Sequence, residues 1–404
     1  MSEPGEIVRI AAKGDGVTAD GRHVPLTAPG DLIAADGQIH RGPHHVEPPC
    51  RHFGRCGGCQ LQHCDEATLA QFVSDRVVNA AKGQGIEPDL LVPAYLSPPS
   101  SRRRATLHAQ NGGSGAQIGF REAGSHRLVN LSECHVLAPE LFDAARLLRG
   151  LLDDRKGKYA AELELTLADQ GVDCGIKGLI FEGLEAAEGL LDFARSNGFA
   201  RLTVDEGYGP ETRWEPEPVT ITLSGTPVAL PSGAFLQATK DAEEALVAAA
   251  VEWLRDSNTV ADLFSGLGTF AFALAGSARV LAVEAAREAH RACKAAAGTS
   301  GKAVHALHRD LFRNPLQPEE LNRFDAVLLD PPRAGAREQA QLLARSSVKQ
   351  VVYISCNPSS WARDARTLVE GGYRVKEVRP VGQFRWSTHV EAASLFTRSA
   401  YSSS

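Results

Sequence analysis

A chain of 404 residues exceeds one ordinary domain and leads us to expect two or three. With 43% hydrophobic and 23% charged residues it has the composition of a soluble globular protein, and no run approaches the roughly 18 apolar residues of a membrane span. The formal charge of −6 argues against a general polyanion binder, so any nucleic-acid contact has to come from local basic patches, of which Arg102-Arg103-Arg104 is the densest. The N-terminus carries no charged region followed by an apolar stretch; no signal peptide is read, and a cytoplasmic location is expected.

Residues 1–42 read as short strands broken by turns at Gly14-Asp15-Gly16 and Gly21-Arg22, the pattern of a small β-barrel. Residues 43–232 form a second stretch. It opens on a Cys- and Gly-rich segment that holds four of the eight cysteines, between Cys50 and Cys64. A helix follows from Ala67 to Lys82, which could pack on the C-terminal domain, then a Pro- and Ser-rich connector from Pro88 to Ser101. From Arg102 to about Leu230, short alternating segments punctuated by Gly and Pro predict a mostly β domain, interrupted by a helical pattern at 183–197.

Residues 233–404 change character. Leu246, Ala249, Ala250, Trp253 and Leu254 recur at helical spacing, and strands then alternate with helices to the end. The strands expected are Thr259–Phe264, Arg279–Glu284, Val304–Arg309, Phe324–Asp330, Gln350–Cys356, Tyr373–Arg379 and Ala392–Thr397. Such alternation predicts an α/β domain with a parallel, doubly wound sheet of the Rossmann-like kind.

Ligands of such sheets sit at the carboxyl ends of the strands. After the first strand comes Asp262-Leu263-Phe264-Ser265-Gly266-Leu267-Gly268-Thr269, whose Gly266 and Gly268 allow a tight turn and close approach of a ligand. Glu284, Asp310 and Asp330 end the next three strands. Each acid alone fits a helix cap or turn, but recurring at one edge they would repel a diphosphate and suit a cationic nucleoside such as S-adenosylmethionine. Cys356 ends the following strand, just before Asn357-Pro358 turns the chain. By position alone it is equally a buried core thiol or a nucleophile presented to a cleft.

Taken in order, Asp-Leu-Phe-x-Gly-x-Gly, Asp-Pro-Pro-Arg-x-Gly (330–335), Ser-Cys-Asn-Pro-x-x-x-Ala-Arg-Asp (355–364) and His389-Val390-Glu391 resemble the motifs of the RNA 5-methyluridine methyltransferase family, class I enzymes that use S-adenosylmethionine; Phe235-Leu236-Gln237 fits its cofactor segment. The resemblance implies Cys356 as the nucleophile that adds to carbon 6 of uracil and Glu391 as the base that clears the proton from carbon 5. It implies a cofactor set of Gln237, Phe264, Gly266, Gly268, Thr269, Glu284, Asp310 and Asp330. Thr269 and Thr239 stand where Asn is common, and Arg385-Trp386-Ser387 replaces the more frequent Pro-His-Thr.

Cysteine chemistry alone favours a structural zinc site over an iron–sulfur cluster, and the resemblance reverses that order. Cys50-x5-Cys56-Gly57-Gly58-Cys59 with Cys134 is similar to the four-cysteine site of the branch acting on 23S ribosomal RNA, which implies a structural [4Fe–4S] cluster; Cys64 is a spare fourth ligand. Residues 1–42 are similar to that branch's TRAM barrel. The expected partner is therefore RNA, 23S ribosomal RNA ahead of transfer RNA, with Arg102 to Arg104 at phosphates and the target base flipped out of its stack. A non-catalytic iron–sulfur RNA-binding protein is the rival class, and it would need neither Cys356 nor Glu391. Nothing in the arrangement calls for an obligate protein partner, so a monomer is expected.

Overall fold

The computed structural model describes residues 5–113, 115–153 and 155–398. At the N-terminus five short strands form one antiparallel sheet, beginning with Gly5–Ile10 and ending with Ile39–His40. Buried Asp31 ties this sheet to the segment after it, accepting from the amides of Ala28 and Gly42 and bonding His45 at 2.7 Å. A seven-stranded sheet comes next, running from Leu128–Asn130 at one edge to Pro210–Trp214 at the other. Its neighbours are antiparallel except Gly171–Lys177 with Arg201–Asp205, and there the helix Gly183–Ser196 supplies the crossover that a parallel pair needs.

The C-terminal sheet positions the site. Its strands are β1 (Thr259–Leu263), β2 (Arg279–Glu284), β3 (Val304–His308), β4 (Ala326–Leu329), β5 (Gln350–Ser355), β6 (Arg374–Gly382) and β7 (Glu391–Thr397), in the order β3-β2-β1-β4-β5-β7-β6. β1 to β5 are parallel; β1, β4 and β5 are buried on both faces, as their Val/Leu/Ala-rich runs require, while β3 at the edge has no buried residue. The expectation of a wholly parallel sheet fails at β7, which is antiparallel to both β5 and β6. Residues 383–390 connect β6 to β7 with no crossover helix, and so short a return reverses the chain.

The stretch expected to be a mere connector extends this sheet. Leu90–Leu91 and Tyr95–Leu96 pair in parallel with β6, covering an edge that would otherwise expose a row of backbone donors and acceptors. The helix Glu66–Gly83 starts on Asp65, whose carboxylate accepts from the Thr68 amide, and buries Leu69, Phe72, Val73, Val77 and Ala81. That stripe joins the core of the C-terminal sheet and packs on the helix Pro358–Glu370. The helix Lys240–Leu254 buries Leu246, Ala249, Ala250, Trp253 and Leu254, the face its spacing predicted.

Candidate active site

At the carboxyl ends of β1 to β5 lies a cavity of about 630 Å³, within the range of small-ligand pockets. The first turn into it is strained. Phe264, directly after β1, sits at φ +64, a conformation that costs a non-glycine residue energy and tends to persist at functional loops. Its ring meets that of Phe312 at 5.4 Å. The two glycines of this loop differ in purpose. A Cβ on Gly266 would meet nothing within 4 Å, so the backbone there is open to a ligand. On Gly268 it would strike the Phe272 ring at 2.7 Å and Cys293 Sγ at 3.0 Å. Gly268 is thus a packing residue, and it lies outside the cavity lining.

Glu284 reaches back from the end of β2 to accept from the Gly266 amide at 2.8 Å and from Ala286 at 2.6 Å. Asp310 caps its own turn, accepting from the amides of Phe312 and Arg313. Both acids line the cavity with Gln237, Phe264, Gly266, Thr269, Asp330, Cys356 and Glu391. Asp330 is pushed well above the usual carboxylate range by desolvation and then by Glu391, Asp262 and Glu284. An acidic, partly desolvated pocket of this kind favours a cationic ligand.

The motifs around β4 and β5 brace each other. Asp364 accepts from the Ala336 amide and the Tyr353 hydroxyl, both at 2.7 Å. Gly335 has to be glycine, since a Cβ would lie 2.5 Å from Asp364 Oδ2 and φ is +80. Asn357 and Ser360 both donate to the Arg333 carbonyl at 3.0 Å. The turn after β5 is thereby fixed, and Cys356 is held half-buried at the cavity wall. Burial, then Glu391 and Asp330, push its thiol up to about 11, against the pull of Arg333. Glu391, the first residue of β7, is 4% exposed, and desolvation pushes it up to about 7 while Gln383, Arg333 and Arg104 oppose the rise.

Gln383 and Phe384 line the cavity and escaped the sequence reading, and Arg104, expected at RNA phosphates, lines it too. Arg104 lies over the half-exposed Phe235 ring at 4.5 Å and Arg102 over Phe384 at 5.3 Å. Arg333 bonds His389 at 3.1 Å. Arg333, His389 and Phe235 stood inside quoted motifs; Gln383 and Phe384 carried no signal. The departure at Arg385-Trp386-Ser387 has a packing role. The Trp386 carbonyl accepts from the amides of Gln60 and Leu61, and Arg385 donates to the Ser97 carbonyl at 2.9 Å and pairs with Glu66.

Cys50, Cys56, Cys59 and Cys134 line a second, smaller cavity. Gly57 allows the approach, its missing Cβ leaving room for the Arg121 carbonyl, which would lie 2.8 Å away. Desolvation raises Cys50 and Cys56 and takes Cys59 up to about 12, and each thiol is raised further by its neighbours in the set. Cys64 is absent from this lining and packs instead in the C-terminal core. Four thiols whose charged forms repel one another fit a cation or cluster that neutralises them. Among the described residues no group of three or more His, Cys, Asp or Glu side chains is closed into a finished ligand set, so the thiols share a cavity without yet converging.

Sheet order and pocket define a class I S-adenosylmethionine-dependent methyltransferase fold. Across 98% of this chain and 100% of the other, it matches the Pyrococcus abyssi tRNA (uracil-54, C5)-methyltransferase, solved with S-adenosyl-L-homocysteine, at a TM-score of 0.76 and 21% identity. Residues 228–399 match the family model described as tRNA (Uracil-5-)-methyltransferase. An uncharacterized RNA methyltransferase of Zymomonas mobilis is 51% identical over 394 residues, 97% of this chain and 99% of the relative. The 23S rRNA (uracil(1939)-C(5))-methyltransferase of Shewanella sediminis is 34% identical over 361 residues, 87% and 82% of the two chains. The chain belongs to the RNA uracil-5 methyltransferase family.

Proposed function

We propose that this enzyme methylates carbon 5 of a uridine in 23S ribosomal RNA through a covalent adduct with Cys356. The observation that carries the reading is the pairing of a thiol and a buried carboxyl, Cys356 and Glu391, in one acidic pocket. Carbon 5 of uracil is a poor nucleophile. Addition of the Cys356 thiolate to carbon 6 turns the ring into an enolate with electron density at carbon 5. Bound S-adenosylmethionine supplies an electrophilic methyl group there. Glu391, as carboxylate, then takes the proton from carbon 5; the carbon–sulfur bond breaks and the 5,6 double bond returns. Gln237, Phe264, Gly266, Thr269, Glu284, Asp310 and Asp330 hold the cofactor, with Gly268 shaping the loop from behind.

Cys50, Cys56, Cys59 and Cys134 hold a [4Fe–4S] cluster, with zinc as the rival occupant, and its work is to fix the loop-rich segment rather than to move electrons. The cysteine set and the 34% identical Shewanella relative support ribosomal RNA. Transfer RNA is the second reading, supported by the whole-chain match to the Pyrococcus tRNA enzyme. The test is methyl transfer from labelled S-adenosylmethionine to unmodified ribosomal and transfer RNA pools, with nucleoside analysis, for wild type and Cys356→Ala. 5-Methyluridine in the ribosomal pool, lost in the variant, is expected. Product in the transfer-RNA pool alone moves the substrate, and methylation that survives in Cys356→Ala overturns the covalent route.

A further inference from the structure

The segment leading into β7 presents a side chain to the cavity that the proposed chemistry has not yet used. His389 and Glu391 both line the cavity, while Val390 between them is 2% exposed and packs in the core of the sheet. Such alternation is that of an extended chain, in which every second side chain shares a face, so imidazole and carboxyl look into the same space.

The imidazole is held on several sides. Its Nδ1 lies 3.1 Å from Arg333 Nη2, and its ring meets that of Phe384 edge to face at 5.7 Å. The His389 amide donates to Ser387 Oγ at 3.3 Å and the Ser387 amide to the Phe384 carbonyl at 2.9 Å, closing the turn that carries both rings. The Arg333 contact also fixes where the proton sits. A guanidinium has N–H groups and no acceptor, so Nδ1 has to receive this bond on its lone pair. An imidazolium has no lone pair to offer. His389 is therefore neutral, with its one proton on Nε2. Burial, and then the charges of Arg333, Arg102 and Arg76, act in the same direction and hold its pKa below the usual histidine value.

A fixed neutral donor has a task in the route proposed above. When the Cys356 thiolate bonds to carbon 6, the 5,6 π pair moves toward carbon 4 and leaves negative charge on the carbonyl oxygen O4. The pocket opposes that charge, since Glu391 and Asp330 already hold the Cys356 thiol up. Arg333 offsets only part of this, opposing the rise at Cys356 and at Glu391. A neutral imidazole N–H stabilises an enolate oxygen by hydrogen bonding and keeps its own proton.

We infer that His389 is a further catalytic residue: its Nε2–H donates to O4 of the target uridine as the Cys356 adduct forms, and Arg333 holds it in the tautomer that does so. The inference rests on the covalent route proposed for Cys356. No atom passes to or from the imidazole; the pair held at O4 returns through carbon 5 to bond the incoming methyl group.

The experiment is release of tritium from carbon 5 of uridine in ribosomal- and transfer-RNA transcripts. The full chain is saturated with S-adenosylhomocysteine, so that no methyl group is available. Addition of Cys356 makes the enolate, water supplies a proton to carbon 5, Glu391 removes the tritium, and the carbon–sulfur bond breaks as the 5,6 double bond returns. His389→Gln sets an amide N–H near the place of Nε2, His389→Asn puts its amide near that of Nδ1, and His389→Leu carries no donor. The side chain is exposed, so all three are expected to fold, which the melting temperature checks. At saturating RNA the Leu and Asn variants are expected to release tritium about 10²-fold more slowly, the usual loss for one donor to a developing oxyanion, with the Gln variant within about 10-fold of wild type. Calorimetric affinity for S-adenosylhomocysteine should not move. An equal loss in all three variants, a loss confined to the RNA concentration at half-saturation, or no loss at all overturns the inference. Cys356→Ala tests the reading beneath it: release that survives there, or none from wild type in either pool, removes the covalent route and the role of His389 with it.

Discussion

Cys356 and Glu391 flank a single register pair, Ser355 opposite Ala392, on the antiparallel strands β5 and β7. The thiol leaves the end of one strand where the carboxyl opens the other, so both reach the same end of the sheet. Reversal of β7 is what makes this possible; a parallel seventh strand would carry its first residue to the opposite edge. Closeness has an electrostatic cost. Glu391 is the leading charged neighbour that keeps the Cys356 thiol up, near 11.

A positive charge brought into the pocket favours the thiolate, since it stabilises the charged form. The alkylation rate of Cys356 against pH is therefore expected to show a midpoint near 11 in the protein alone. Sinefungin, a cationic analogue, should lower that midpoint more than neutral S-adenosylhomocysteine does. Equal midpoints with the two ligands would contradict the coupling.

Glu391→Gln is expected to stall the reaction after methyl transfer, because the carbon 5 proton stays in place and the carbon–sulfur bond cannot break. Turnover should fall by about 10²–10⁴-fold, with an RNA–protein species that survives denaturing electrophoresis. Cys356→Ala should lose on the order of 10³-fold or more and form no such species, while S-adenosylhomocysteine binding measured by calorimetry stays near wild type.

Asp262 at the heart of β1 is fully buried, both its carboxyl oxygens lack a hydrogen-bond partner among the described residues, and desolvation pushes it up to about 7 from 3.8. A carboxyl raised on folding makes the fold prefer its protonated form. Stability from this group is thus full below pH 3.8, declines as pH climbs through about 7, and is flat above. Asp262→Asn should flatten the melting temperature between pH 5 and 8. At pH 8 it should also recover up to a few kcal/mol, at about 1.4 kcal/mol for each pH unit between the folded and unfolded midpoints. A variant with the same pH slope as wild type would rule this out.

Arg103 and Glu243 form a buried pair, 7% and 9% exposed at the side chains. Arg103→Met leaves Glu243 buried without its partner and removes the hydrogen bond to the Gln237 carbonyl. Urea denaturation should show a loss of about 3–5 kcal/mol, the usual result of breaking one side of such a pair. A loss below about 1 kcal/mol would mean that water reaches the pair.

The two candidate fourth ligands separate cleanly. Cys134→Ser is expected to lose bound metal and visible absorption, and Cys64→Ser to keep both, because Cys134 lines the cavity with the other three thiols and Cys64 does not. Elemental analysis of wild type distinguishes iron with sulfide from zinc, and a chelator should loosen residues 50–60 first, read by hydrogen exchange.

Part of the candidate site was legible because its residues stand at strand ends: Glu284, Asp330 and Cys356 follow apolar, largely buried runs, whereas Asp310 follows a strand with no buried residue and was picked out by its place at the same edge. The helix face at Leu246 to Leu254 was equally plain. What could not be read is whatever depends on contacts distant in sequence. Gln383 looks like any loop amide until Ala238 and Gln237 are brought against it, and the direction of β7 comes from a connection length rather than from the strand itself. Gly268 shows a second reason for a glycine that the motif alone did not reveal: Phe272 and Cys293 occupy the space a side chain would need.

The hold that Gln60 and Leu61 take on the Trp386 carbonyl bears on the order in which the chain is made. Arg385 and its partner Glu66 are 319 positions apart, so the loop before Glu391 closes only when synthesis is almost over. Until then the helix Glu66–Gly83 carries Leu69, Phe72, Val73 and Val77 without the C-terminal sheet and the helix Pro358–Glu370 that complete their core. Early-made residues therefore wait, exposed and prone to self-association, for the last part of the polypeptide to arrive. A fragment holding only residues 228–399 would contain every catalytic motif and still lack the scaffold against which its final loop sets.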